Sequence, residues 1–198
     1  METILALSGL IACIWLCIGI VIAARFYPGY SHLKQFCSEL GADGSPTQRL
    51  SPIINNYPLG ALFIAFGCYV LGSQPAYPSW IIIGAMIIVH GVGTWIAGYF
   101  PMDSDPYIKH PTRIGTVHAT AGAVMLMSLL IAPLAAMFSD TVPLWFRWIS
   151  ALSVIGCITF TVTLASAYQN KTKPGLHQRI SYGFQLAWLA LLSLELAV

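Results

Sequence analysis

A carboxylate and an imidazole, Asp103 and His118, flank a short connection. It follows the run Gly98-Tyr-Phe-Pro-Met-Asp103 and closes where apolar sequence resumes near Ile114. A carboxylate beside a histidine orients the ring tautomer and raises its basicity, as a general base or a metal ligand requires. The connection is short enough for the two to approach, so Asp103 and His118 are the first candidates for reacting or metal-ligating groups. Asp105 and His110 in the same connection read as solvated loop residues. The architectural alternative makes Asp103 and His118 a helix-end cap and a polar loop.

A second group is Ser38 and Glu39, with His32 one to two turns earlier. Ser38 is a candidate nucleophile or hydrogen-bonding orienter, although no G-x-S-x-G elbow surrounds it. A third group, His177 and Arg179, opens the last apolar stretch. Arg179 offers a planar fork to Asp103 or to a lipid phosphate, and otherwise serves as a positively charged anchor. Asn55 opens the second apolar stretch at a similar depth, so Asn55, Glu39, His177 and Arg179 are the substrate-binding candidates. Deeper lie His90, Thr94 and Gln185. A buried histidine needs a partner, and Gln185 is the candidate. His90 has no histidine at matched depth, which argues against a bis-His haem.

These groups must be held by elements of an unusual kind. The chain has 198 residues, 57% hydrophobic and only 8% charged. So few charges cannot cover a soluble surface, and lipid must replace water around most of the chain. Six apolar segments, about 4–26, 53–71, 80–100, 114–138, 144–168 and 176–198, each approach the ~20 residues that a helix needs to cross a bilayer. Apolar and polar residues do not alternate as strands would require. The expected fold is all-α: a six-transmembrane-helix bundle forming one integral membrane domain over residues 1–198. The first segment lacks a basic start and has too long an apolar run for a cleavable leader, so it reads as a permanent span.

Eight of the nine Lys and Arg residues lie on the first, third and fifth connections or the helix ends beside them, and only Arg147 lies opposite. The positive-inside rule then puts those connections in the cytoplasm and both termini on the extracytoplasmic side. Tyr77, Trp80, Trp145 and Trp148 suit an aromatic belt on the other face. Helical spacing of Tyr30, Leu33, Phe36, Cys37 and Leu40 predicts a short amphipathic helix in the first connection. Gly84, Gly91 and Gly98, and Gly115, Ala119 and Gly122, mark helix contacts. The net charge of +2 and the absence of a basic run argue against a nucleic-acid partner. The five cysteines show no C-x-x-C pair and read as packing residues.

An ordered set of short motifs then stands out: Ser38-Glu39-Leu40-Gly41, Ser51-Pro52 leading to Asn55, Gly98-Tyr-Phe-Pro-Met-Asp103, and Gly115-Thr-Val-His118 with Gly122. In order and topology they resemble the multi-span prokaryotic membrane family called domain of unknown function 998. That resemblance implies a six-helix fold in a plasma (inner) membrane and no particular activity. A looser likeness connects the chain to the alkaline ceramidase and adiponectin-receptor superfamily of membrane hydrolases, which hold zinc with Ser, Asp and three His. It implies zinc as an option, with His118, Asp103 and His177 as ligands. The chain departs from that pattern: six spans stand where seven are expected, and Leu176-His177-Gln-Arg179 has no second histidine in register.

Glu39, Asn55, Asp103, His118, His177 and Arg179 come from different segments but share one side of the membrane. The expectation is a polar pocket facing the cytoplasm that binds a membrane lipid or small amphiphile. A membrane hydrolase is its concrete form, with His118 or a bound metal activating water and Ser38 assisting. Two alternatives stand beside it. One is a small transporter or channel subunit with His90, Thr94 and Gln185 as the midplane path. The other is a non-catalytic scaffold in which Asp103, His118 and Arg179 satisfy one another. A homo-oligomer is compatible with each.

Overall fold

The structure, a computed structural model, describes residues 2–197. It contains six α-helices: α1 (Glu2–Arg25), α2 (Tyr57–Ser73), α3 (Pro78–Tyr99), α4 (Arg113–Met137), α5 (Leu144–Gln169) and α6 (Pro174–Ala197). With its lead-in from Pro52, α2 spans 22 residues, and all six helices are long and apolar enough to cross a membrane. The protein is an all-α integral membrane protein.

Proline sets several of the helix starts. Pro78 and Pro174 are the first residues of α3 and α6, where a missing N–H costs nothing. Pro58 acts differently. It removes the donor that the Ile54 carbonyl would receive in an α-helix, and the indole N–H of Trp15 donates to that carbonyl at 2.7 Å instead. The preceding turn, Pro52–Asn56, is π-helical, and the Tyr57 N–H reaches back to the Pro52 carbonyl. This wide turn sends Asn55 against Gly19 of α1 and lets Asn56 Nδ2 donate to the Thr94 carbonyl of α3 at 3.1 Å.

The helices pack in chain order, and α6 closes on α1, so the bundle is a ring. The first, third and fifth connections share one end, here the loop end. The second and fourth connections share the other end with the termini. Antiparallel α2 and α3 meet at paired glycines, Gly60 with Gly91 and Gly67 with Gly84. A Cβ on Gly91 would lie 2.8 Å from the Gly60 carbonyl oxygen and 3.0 Å from the Ile64 backbone nitrogen. Gly122 behaves otherwise: it faces open space and not a neighbouring helix.

The ring is filled unevenly. Near the termini, Phe63, Phe66, Ile83, Ile87, Leu129, Phe146, Trp188 and Leu192 form a buried core. Trp80 joins that core instead of the expected belt, with its indole N–H on Thr141 Oγ1 at 2.9 Å. Tyr77, Trp145 and Trp148 remain exposed. The loop-end half of the ring is hollow.

The first connection is not the expected amphipathic helix. Residues 26–36 form turns, followed by a 3-10 turn at Cys37–Gly41. The reason lies in where its carbonyls go. Those of His32 and Gln35 accept from Arg179, and that of Leu33 accepts from the Leu176 N–H. A helix would have used these acceptors internally. The connection folds back under the ring, and the Asp43 N–H donates to the Met102 carbonyl at 2.8 Å.

The glycine pairing gives a direct test. Gly91→Val is expected to force α2 and α3 apart and cost about 1–3 kcal/mol, read as a lower thermal midpoint in detergent. Gly122→Ala, with nothing near its Cβ, is expected to leave the midpoint unchanged or raise it.

Candidate functional site

The hollow half encloses a cavity of about 370 Å³. All six helices and the first connection contribute to its wall. Ser38, Asn55, His118 and Arg179 line it, as do the deeper His90, Thr94 and Gln185. Asp103, Glu39 and His177 do not.

Asp103 and His118 are not bonded to each other. Asp103 accepts from the Thr112 hydroxyl at 2.6 Å and from its backbone N–H at 3.1 Å. Thr112 in turn caps α4, accepting the Gly115 N–H at 2.9 Å. A Cβ on Gly115 would collide with the Asp103 carboxylate, so glycine is required there. His118 donates its Nδ1–H to the carbonyls of Ala97 at 3.0 Å and Phe100 at 2.8 Å. Both are acceptors only, which assigns the proton to Nδ1. Ala97 needs this donor because the residue four positions on is Pro101, which has no N–H. Phe-Pro, Asp103, Gly115 and His118 therefore make one α3–α4 corner. Nε2 of His118 has no partner among the described residues and belongs to a ring on the cavity wall.

The other loop-end residues are also held singly. Glu39 takes the Phe36 N–H at 2.8 Å and Gln35 Nε2 at 3.1 Å, which fixes the 3-10 turn. The Ser38 hydroxyl lies 3.2 Å from Met102 Sδ, a weak acceptor. His177 donates Nδ1–H to Thr163 Oγ1 at 2.9 Å and ties α6 to α5. Arg179 does not reach Asp103. Its Nη1 donates to the carbonyls of His32 at 2.5 Å, Gln35 at 2.8 Å and Gly175 at 2.9 Å, and Nη2 donates to the Tyr30 hydroxyl at 2.6 Å. It clasps the first connection to α6. Burial holds the Tyr30 hydroxyl above its ordinary value, against the opposing pull of Arg179, so it stays a phenol.

The metal reading loses its ligand set. Among the described residues, no three His, Cys, Asp or Glu side chains gather closely enough to hold an ion. The cause is local: Asp103 is engaged by Thr112, and His177 by Thr163.

At the inner limit of the cavity, His90 is bonded across the ring. Its Nδ1–H donates to the Met125 carbonyl of α4 at 3.1 Å, so Nε2 accepts from the Tyr182 hydroxyl of α6 at 2.8 Å. Tyr182, and not Gln185, is the partner of His90. Gln185 Nε2 donates instead to the Leu126 carbonyl at 2.9 Å, and Thr94 Oγ1 to the His90 carbonyl at 2.8 Å. Beyond His90 lies the packed core, edge-on Phe63 first, at 4.8 Å between ring centroids. Asn55 Oδ1 is the one buried side-chain oxygen without a hydrogen-bond partner among the described residues.

Sequence reasoning passed over Tyr182, Thr112 and Gln178, and read Tyr30 only as part of an amphipathic helix. Tyr182 carries one usable signal, since it stands three residues before Gln185 and shares its helix face. Thr112 had another, as a threonine just ahead of a helical run. Tyr30 and Gln178 act through a folded loop, which no local spacing encodes.

Two substitutions probe the site as built. Tyr182→Phe removes the donor to His90 and is expected to destabilise the protein by about 1–3 kcal/mol. His118→Ala strips the Ala97 and Phe100 carbonyls of their donor, with a similar expected cost. Thermal unfolding in detergent reads both. An unchanged midpoint in either variant contradicts the corresponding bond.

No curated protein and no solved structure matches this chain. A family model described as "Protein of unknown function (DUF998)" matches residues 10–195, which include every motif of the corner, the first connection and the cavity wall. The chain therefore belongs to the DUF998 family.

Proposed function

We propose that the protein binds a membrane lipid or other small amphiphile in its loop-end cavity, and that this end faces the cytoplasm of a prokaryotic-type plasma membrane. The observation that carries the reading is the cavity itself. Its lining is mostly apolar, the polar side chains of Ser38, Gln178 and Arg179 stand at the loop end, and beyond His90 lies the packed core. A site with those three properties suits a molecule with one polar and one apolar end. The concentration of Lys and Arg at the loop end supports the sidedness.

Binding fits better than hydrolysis. A hydrolase needs a nucleophile or water held by a base that is itself oriented. His118 is oriented, but its partners are the ends of α3, and Ser38 is turned to Met102. The packed core beyond His90 counts against a transport path through His90, Thr94 and Gln185. A pure scaffold would have Asp103, His118 and Arg179 satisfy one another with no cavity beside them, whereas each has separate partners and two of the three line a cavity.

Filling the cavity tests the proposal. Gly122→Phe and Ala123→Phe add bulk to the cavity-lining part of α4, where both residues are exposed and nothing lies near the Gly122 Cβ. Native mass spectrometry of protein purified from its membrane is expected to show lipid adducts on the wild type. The variants are expected to lose them with an unchanged thermal midpoint. Equal adducts on both would remove the cavity as the site. An ester hydrolysis that survives purification and disappears in His118→Ala would instead restore the enzymatic reading.

A further inference from the structure

The charge of the loop-end wall is one-sided. Among the described residues lining the cavity, Arg179 carries the only formal charge, and no Asp or Glu lies among them. The one ion pair among the described residues, Arg147 with Asp140 at 3.4 Å, is at the opposite end of the bundle. Every protein acceptor of Arg179 is a neutral carbonyl or a phenol. Tyr30 supplies no phenolate. The Cys37 thiol is pushed up by burial, with Arg179 opposing, and supplies no thiolate. A guanidinium partly withdrawn from water with no counter-charge is costly unless something else brings one.

The hydrogen-bonding groups beside it lean the same way. Gln178 Oε1 is occupied by the Cys37 N–H at 2.8 Å, which fixes the amide orientation and leaves Nε2 as a donor on the wall. Arg179 Nε has no protein acceptor among the described residues. The Ser38 hydroxyl has only a thioether. His118 Nε2 has no protein partner among the described residues. What the described lining residues lack is an acceptor bearing negative charge; the loop-end carboxylate Glu39 is turned to the Phe36 N–H and Gln35 Nε2.

For the rest of the ligand, the seam between α4 and α5 is the most sparsely packed between neighbouring helices. The two helices are joined near the termini, where Arg147 Nε donates to the Met137 carbonyl at 2.9 Å. At the loop end they are bridged only through the third connection, by the Tyr168 hydroxyl on the Pro106 carbonyl at 2.6 Å. Between these ties, residues 158–166 of α5 include no buried residue, and Gly122 and Ala123 of α4 are exposed. The cavity wall there is Leu126, Leu164 and Ala123.

Building on the amphiphile-binding reading, we propose that the ligand is an anionic amphiphile. Its phosphate or carboxylate is held by Arg179 with Gln178 and Ser38, and its acyl chain leads out between α4 and α5. The shared chemistry covers a phospholipid headgroup and a free fatty acid alike.

The test uses full-length protein in phosphatidylcholine nanodiscs. Dodecyl phosphate, dodecanoate, dodecanol and dodecyltrimethylammonium are titrated, with ligand-induced thermal shift as the readout. Both anions are expected to bind about tenfold or more tighter than the cation or the alcohol. Dodecyl phosphate ahead of dodecanoate points to a phospholipid, and the reverse order to a fatty acid; either order supports the proposal. Arg179→Gln is expected to abolish the preference, but it also loosens the first connection. Gln178→Glu is the cleaner variant, because it keeps the acceptor for the Cys37 N–H while placing a carboxylate beside Arg179. It is expected to lose the anion preference with little change in midpoint. Equal binding of all four probes, unaffected by Gln178→Glu, overturns the anionic assignment and leaves the cavity reading standing. Binding of none overturns the cavity reading itself.

Discussion

The bond between the Tyr182 hydroxyl and His90 Nε2 divides this molecule into two parts with different work to do. His90 is on α3, its Nδ1 partner Met125 on α4 and Tyr182 on α6, so three helices of the ring are tied across its interior. In a bilayer there is little hydrophobic force to pull helices together, and interior polar contacts and close packing must do it. On the termini side of this tie, aromatic and branched side chains fill the ring. On the loop side the wall is lined by small or short residues such as Gly122, Ala123 and Thr94, and a cavity remains. A hollow half tolerates that emptiness because the tie and the paired glycines of α2 and α3 hold the frame.

A second constraint recurs at the loop end. Proline removes a donor from a helical carbonyl, and a side chain from a neighbouring helix replaces it. Pro58 leaves Ile54 to Trp15, and Pro101 leaves Ala97 to His118. Each replacement fixes one helix against another more specifically than apolar contact would. The same logic explains the first connection, whose free carbonyls are gathered by Arg179. These loop-end residues of the chain are thus joints first. His118 and Arg179 are joints whose remaining polar atoms are left at a cavity, which is why architecture and binding converge on them.

Much of this was legible in the residues. Apolar runs of bilayer length dictate six spans, because no soluble packing accommodates so little charge. Of the loop-end candidates, Ser38, Asn55, His118 and Arg179 line the cavity, and Asp103, Glu39 and His177 do not. Their partnerships were less accessible. Asp103 and His118 suggested a dyad by proximity, but the absent N–H of Pro101 gives His118 a prior obligation to α3, and that inference was available from the sequence. The helical spacing of Tyr30, Leu33 and Phe36 misled because carbonyl capture by Arg179 and Leu176 outweighs a local preference. Tyr182 reads as a packing residue of α6, where an aromatic ring is ordinarily core and only its hydroxyl reveals another role.

The central claim is that the hollow half holds an anionic amphiphile with its head at Arg179. A high-resolution density map of the protein purified from its own membrane tests it most directly. The account predicts elongated density in the cavity, with a compact head within hydrogen-bonding distance of Arg179 and a tail leaving between α4 and α5. A cavity that contains only ordered water, or that has collapsed with Leu126 and Leu164 in contact, would contradict it.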